Sequence, residues 1–438
     1  MMINRKSLLH IPCFLLFLLS SCSIQQQIGR SARAELLENR ALKSAHVGIS
    51  IFDPEENRFL YEYQGQKYFV PASNTKIPTC YAAMKYLGEK LRGLDFLDTD
   101  TVCFIRPTAD PTFLHRDYPG QPVFDFLKTL AKPLAFIYPK WEAEMYGDGW
   151  SWNDYNEYYM AERSALPVYG NVIEYSIRQL GNRYELNGDI NFFRYALSPH
   201  VDPITPRIRI QRKKMENTFE VYGSRGTFSK VQIPFQTLGN RLLLEDTLKK
   251  AWLDQVSPPV DQVFRSVYSQ PTDSMLKPMM HRSDNFFAEQ ALLMVSNEKL
   301  GLMNDEKIID TLLKTDFSDL PQAPRWVDGS GLSRYNLFSP RDFVMILRKM
   351  KDEFGMERVK EIFPTGGEGS IRNYYTDAGG YIFGKTGTLS GVVAFSGFLY
   401  TKKGKLLIFS TLVNNHKTGA TEVRRAVEKF LTGIRNGY

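Results

Sequence analysis

Tyr381-Ile-Phe-Gly-Lys-Thr-Gly-Thr-Leu389, continued by Gly391 to Thr401 and Lys405 to Val413, decides the fold of this chain. The three runs are rich in apolar, β-branched and aromatic residues and are broken only by short turns, as successive antiparallel strands require. Thr421 to Ile434 follows as an amphipathic helix. At the other end, His46 to Asp53 and Arg58 to Tyr63 are two more strands joined by a turn containing Pro54. A hairpin first, then helices, three strands and a final helix predict an α/β (α+β) core, an antiparallel sheet flanked by helices and closed by both ends of the chain.

The hairpin leads into Pro71-Ala-Ser-Asn-Thr-Lys76 and a helix from Ser73 to about Leu87, with Ile77, Tyr81, Met84 and Leu87 at helical spacing and Gly88 as its stop. Further helices are expected over Ala34 to Lys43, Pro271 to Met280, Phe286 to Asn297, Pro340 to Phe354 and Glu357 to Phe363. Between Gly93 and Val260 the character changes. Short β-like runs occur at Val102 to Ile105, Ala135 to Tyr138, Asn171 to Ile177, Arg207 to Gln211, Thr218 to Tyr222 and Ser229 to Pro234, and helical periodicity is found only near Leu242 to Trp252. The expected organisation is a leader at 1–21, a main domain built from 22–92 and 261–438, and an inserted, mostly β module at 93–260.

A chain of 438 residues, 43% hydrophobic and 24% charged, has the balance of a globular protein and excludes wholesale disorder. Its net charge of +7 comes without Lys/Arg runs, so a solvated basic surface accounts for it and no nucleic-acid partner is implied. Arg5 and Lys6 followed by the apolar stretch Ile11 to Leu19 form a leader too short to span a bilayer. Leu19-Ser-Ser-Cys22 closes it as a bacterial lipobox does, which would place lipid on Cys22; the alternative is an ordinary secretory peptide in which Cys22 is incidental. Either leader implies export. Of the remaining cysteines, Cys80 and Cys103 are expected to be buried free thiols. No CxxC or histidine cluster suggests a metal, and no cofactor is expected.

A serine hydroxyl needs a base, and a lysine can serve if its amine is held neutral. Ser73 and Lys76, three residues apart on one helix, face the same way. The spacing alone is weak, because Ser274/Lys277 and Ser296/Lys299 repeat it, Ser151-Trp-Asn153 matches Ser-x-Asn, and Lys417-Thr-Gly419 duplicates Lys385-Thr-Gly387. Order and placement separate them. Only Ser73/Lys76 at a helix start, Ser283-Asp-Asn285 between two helices and Lys385-Thr386-Gly387 on a strand follow the sequence Ser-x-x-Lys, Ser-x-Asn, Lys-Thr-Gly shared by class A β-lactamases and penicillin-binding proteins.

Together with Asp110-Pro-Thr112, Gly149-Trp-Ser-Trp152, Ser164-Ala-Leu166, Arg282-Ser-Asp-Asn285 and the nonapeptide Asp328 to Asn336, these motifs make the chain resemble the D-alanyl-D-alanine carboxypeptidase/endopeptidase family, low-molecular-mass serine penicillin-binding proteins of the penicillin-binding protein 4 type. The resemblance covers nearly all of the mature sequence and implies a β-lactamase/transpeptidase-like core. It implies that Ser73 attacks the penultimate D-alanine of peptidoglycan stem peptides with Lys76 as base. Ser283 would relay the proton to the leaving group, and Asn285 would hold the substrate amide. Lys385, Thr386 and Thr388 would receive the terminal carboxylate, beside Gly387, and the N–H groups of Ser73 and Thr388 would form the oxyanion hole. β-Lactams would be covalent inhibitors, and the protein would sit in the periplasm, lipid-anchored to the outer membrane. Two departures, Thr108-Ala109 before Asp-Pro-Thr and Tyr169-Gly170-Asn171 after Ser-Ala-Leu, touch substrate side-chain recognition. A β-lactamase and a non-catalytic wall-binding scaffold are the alternatives. Against the first stand the long stretch between Ser73 and Ser283 and the lack of a Glu-x-x-Asn between Gly93 and Ser283. Asp328-Gly-Ser-Gly331 is expected to shape the pocket. Trp141, Trp150 and Trp152 either pack between domains or line a glycan groove.

Overall fold

In the computed structural model the described residues are 24–180, 183–193, 197–199, 209–222, 230–254, 256–259 and 262–437. The expected leader and Cys22 lie outside them, as do 207–208, Ser229 and Val260 at the ends of expected segments.

The strands at the two ends of the chain form one five-stranded antiparallel sheet, in the spatial order Ile382–Leu389, Val392–Tyr400, Leu406–Asn414, His46–Asp53 and Arg58–Tyr63. Its middle strand, Leu406–Asn414, is buried along its whole length. Alternation therefore sends one set of side chains to each face. Leu406, Ile408 and Leu412 join a core built with helices Lys76–Tyr86, Asn285–Leu300 and Pro340–Ile362. Leu407, Phe409 and Val413 meet the last helix, Ala420–Gly437, and an N-terminal helix. Burial of each such side chain stabilises the fold by about 1.5–3 kcal/mol, which makes this two-faced strand the rigid floor under the motifs.

The N-terminal helix corrects the expectation for Ala34 to Lys43. It occupies 24–32, runs on as a π-turn at Arg33–Leu37 and is followed by a separate turn at Arg40–Leu42. Ile28, Ala32 and Leu36, spaced by four, are its buried stripe. Pro340–Ile362 is two helical pieces joined at Gly355, whose φ of 77° interrupts the hydrogen-bond ladder. Helices Pro122–Thr129 and Asp305–Lys314 were not anticipated, and the helix expected to reach Trp252 ends at Leu248, where Lys249 turns left-handed.

Three further sheets lie between the two halves of the catalytic sheet. The largest has the order Trp252–Leu253, Leu134–Phe136, Cys103–Pro107, Lys90–Asp98, Arg265–Pro271. The other two are Val231–Pro234, Val172–Leu180, Arg183–Gly188, and Leu197–Pro199, Phe219–Tyr222, Arg209–Arg212. Pairing of Lys90–Asp98 with Arg265–Pro271 carries this region past Gly93 and Val260 on both sides. Cys80 and Cys103 are buried free thiols. No helix among the described residues is long and apolar enough to cross a membrane.

Candidate active site

Ser73 lies on a 3-10 turn, Ala72–Thr75, that runs straight into helix Lys76–Tyr86. The residue before it, Ala72, has φ of 48°, a left-handed conformation that costs a side-chain-bearing residue about 1–3 kcal/mol and persists only where its surroundings impose it. Those surroundings are visible. Asn414 on the sheet accepts from the Val70 N–H at 2.8 Å and donates to the Val70 carbonyl at 3.0 Å. Asn74 donates to Ser396 Oγ at 2.7 Å, and Ser396 donates in turn to Ser410 Oγ at 2.8 Å. Gly331, at φ 81°, lies so close that a Cβ there would overlap the Ala72 carbonyl. The serine turn is thus clamped to the sheet from below and to the Asp328 loop from the side.

Lys76 Nζ lies 3.0 Å from Ser73 Oγ, 2.7 Å from Asn285 Oδ1 and 2.7 Å from the Ser330 carbonyl, donating to each. It is fully buried and forms no ion pair among the described residues. Burial drives its pKa down from 10.5 to about 8, with the charges of Asp328, Glu289 and Asp284 opposing that fall. The result is an amine that can lose its proton near neutral pH while still touching the serine oxygen.

Across the cleft, Lys385 lies on strand Ile382–Leu389, opposite Ser396 in the register. Its Nζ donates to Ser283 Oγ at 2.9 Å and to the Thr386 carbonyl at 2.8 Å. Burial, and after it the like charges of Lys76 and Arg424, hold its pKa well below the usual range. Ser283, at φ 63°, is the strained link between helices Thr272–His281 and Asn285–Leu300. Asp284 caps the second helix through the Phe287 N–H at 3.1 Å, and Asn285 Nδ2 donates to the Tyr159 carbonyl at 3.0 Å. Thr386 donates to Ser370 Oγ at 2.6 Å, and Thr388 Oγ1 accepts from Arg424 at 2.6 Å. Gly387 between them brings bare backbone against the serine turn: a Cβ there would stand 2.5 Å from the Pro71 carbonyl and 3.0 Å from the Ser73 nitrogen. Ser73, Lys76, Ser283, Asn285, Lys385, Thr386, Gly387 and Thr388 therefore line one cleft.

The look-alike motifs do not assemble. Ser296 donates to the Leu302 and Asn304 carbonyls and Ser274 to the Pro271 carbonyl, while Lys417 is exposed. Two residues absent from the sequence reading, Arg163 and Glu289, do take part. Arg163 binds Glu289 Oε2 at 2.7 Å and Asp305 at 2.7 Å. Glu289 Oε1 accepts from the Ser330 N–H at 2.7 Å, and the carbonyl of that same residue holds Lys76. Asp328 accepts from Gly331 N, Ser333 N, Asn336 Nδ2 and Trp150 Nε1, all within 2.9 Å, so its carboxylate shapes the loop. Glu289 lies one helical turn after Asn285, a spacing that could have flagged it. Nothing local flags Arg163. Of the tryptophans, Trp150 packs as just described and Trp141 pairs its backbone with Met303, whereas Trp152 is 55% exposed and stacks on Tyr155.

A serine and a poised lysine on a helix start, a second serine bound to a second lysine, and an antiparallel strand presenting bare backbone define a serine acyl-transfer peptidase on a transpeptidase-like core. The chain belongs to the D-Ala-D-Ala carboxypeptidase 3 (S13) family, which matches it over residues 30–434. It is 23% identical to the D-alanyl-D-alanine carboxypeptidase DacB of Haemophilus influenzae, over 92% of each chain. The crystal structure of penicillin binding protein 4 from the same organism superposes with a TM-score of 0.73 at 20% identity, covering 94% of this chain and 98% of that one. A predatory endopeptidase of Bdellovibrio bacteriovorus, solved with an immunity protein, gives a TM-score of 0.51 at 12% identity over 90% and 94%.

Proposed function

We propose that this peptidase hydrolyses the terminal D-Ala-D-Ala bond of peptidoglycan stem peptides through an acyl-enzyme on Ser73. The observation that carries this is Lys76 Nζ, buried and without an ion pair among the described residues, 3.0 Å from Ser73 Oγ. Neutral Lys76 takes the hydroxyl proton as Ser73 Oγ bonds to the penultimate D-alanine carbonyl carbon. The oxyanion that forms is met by the N–H groups of Ser73 and Thr388. Lys76 hands that proton on through Ser283, which Lys385 holds, to the departing amine; the C–N bond breaks, D-alanine leaves and Lys76 is neutral again. Water, deprotonated by Lys76, then cleaves the ester and restores the serine. Asn285 keeps Lys76 in place and faces the substrate amide, while Thr386 and Thr388 face its carboxylate.

The same chemistry applied to a D-alanyl bond in a cross-link gives endopeptidase activity, supported by the likeness to the Bdellovibrio enzyme. A β-lactam, whose ring carbonyl presents an acyl group to the same serine, acylates Ser73. Labelling with a fluorescent penicillin and assaying D-alanine release test this directly. Adduct and release are expected from the wild type and neither from Ser73→Ala; an adduct that persists in the variant overturns the assignment. Muropeptides incubated with the protein and analysed by mass spectrometry report on cross-link cleavage, and intact dimers after complete tail trimming would rule it out.

The proposal extends to location and organisation. The leader directs export to the periplasm, Cys22 carries lipid that holds the protein at the outer membrane, and 93–260 is an insertion in the catalytic domain. Unchanged membrane fractionation of Cys22→Ala would remove the anchor from this account.

A further inference from the structure

The geometry points to Arg424 as the cation that receives the free carboxylate of the leaving residue, so that this chain selects substrates ending in a carboxylate over the matching amides. This rests on the DD-peptidase reading and adds to it a residue from outside the three motifs.

Lys385 is poorly placed for that charge. Its amine is fully buried and already bound to Ser283 Oγ and the Thr386 carbonyl. Burial and two neighbouring cations push it towards the neutral form. It is suited to hold Ser283, and a carboxylate arriving at the strand still needs a positive partner.

Arg424 has the opposite character. It lies near the start of helix Ala420–Gly437 and donates at 2.6 Å to the hydroxyl of Thr388, which is exposed at the mouth of the cleft. Among the described residues it forms no ion pair, although the next residue, Arg425, is matched by Glu428 at 2.5 Å. Its Nε is buried and lacks any acceptor. A guanidinium without a counter-ion fits a carboxylate through two parallel hydrogen bonds. Thr386 and Thr388, two apart on one strand, point to the same side, so an anion between their hydroxyls lies within the reach that Arg424 already spans to Thr388. The recess that Arg424 lines with Thr386 is walled by apolar and aromatic side chains, Tyr374, Tyr375 and Phe395 among them, surroundings in which a charge pair is strengthened.

The test uses the purified full chain, a diacyl-D-Ala-D-Ala peptide and its C-terminal carboxamide, with kcat/KM measured for both. The wild type should prefer the acid. Arg424→Gln should lower kcat/KM for the acid by about ten- to a hundred-fold, the worth of hydrogen bonds to a charged group, and leave the amide unchanged. Arg424→Lys should recover part of the preference. An acid-to-amide ratio that Arg424→Gln leaves as in the wild type, or an equal loss on both substrates, overturns the assignment while the DD-peptidase reading stands. A wild type that cleaves neither peptide overturns that reading and this one with it.

Discussion

The two walls of the cleft each carry a buried lysine, and their surroundings are opposite in sign. Lys76, on the helix wall, is backed by Asp328, Glu289 and Asp284, whose charges resist the loss of its proton and leave its pKa at about 8. Lys385, on the strand wall, feels instead the like charges of Lys76 and Arg424, and these act with burial. The same residue type is thereby set to two tasks. One amine can gain and lose a proton within a catalytic cycle; the other is a neutral-leaning donor that fixes Ser283. What separates them is which carboxylates the tertiary fold buries behind each.

The largest way to break this comparison is to remove the helix-wall amine. Lys76→Met should slow acylation by a fluorescent penicillin by about 10²–10⁴-fold, the usual worth of a general base. In the wild type the acylation rate should climb with pH, because only the neutral amine accepts the serine proton, and level off above about 8. A rate that stays flat from about pH 6 to pH 9, or that falls across this window, would contradict a base with that pKa.

Glu289→Gln sharpens it next. The amide can still accept from the Ser330 N–H, but among the described residues Arg163 keeps only Asp305 as a counter-ion. Stability should drop by about 3–5 kcal/mol, as when one member of a buried ion pair is removed, readable by urea unfolding. The sign of the second effect is the more telling. Glu289 favours the charged form of Lys76, so its loss should move the midpoint of the pH–rate profile downward. An unmoved midpoint would mean that the buried carboxylates act on packing alone.

What could be seen in the sequence follows the same divide. The sheet was legible because its strands are continuous apolar runs, and the motifs were separable from their imitations because each sits on the element its chemistry needs. Ser73 and Lys76 share a helix face, and Lys385, Thr386 and Thr388 share a strand, so local geometry fixed their relation. Arg163 and Arg424 reach the site from other elements, and nothing near them in the sequence announces it, whereas Glu289 shares its helix with Asn285. Arg163 comes from the stretch between the two halves of the sheet, Arg424 from the last helix. The N-terminal helix was misplaced for a related reason: Ile28, Ala32 and Leu36 become a stripe through packing with the last helix and the sheet, and the polar run Gln25 to Gln27 hides its start.

The smallest change tests whether the strand wall acts on binding rather than on the base. Thr386 Oγ1 donates to Ser370 Oγ at 2.6 Å, which fixes the hydroxyl beside Lys385 without touching Lys76. Ser370→Ala frees that hydroxyl to rotate. The loss should be about 1 kcal/mol, close to a fivefold fall in kcat/KM for the diacyl peptide, carried mainly by KM. The midpoint of the pH–rate profile should stay where it is, because no charge near Lys76 has changed. If Ser370→Ala instead shifts that midpoint as Glu289→Gln does, the two walls are one electrostatic unit and the division of labour between the lysines fails.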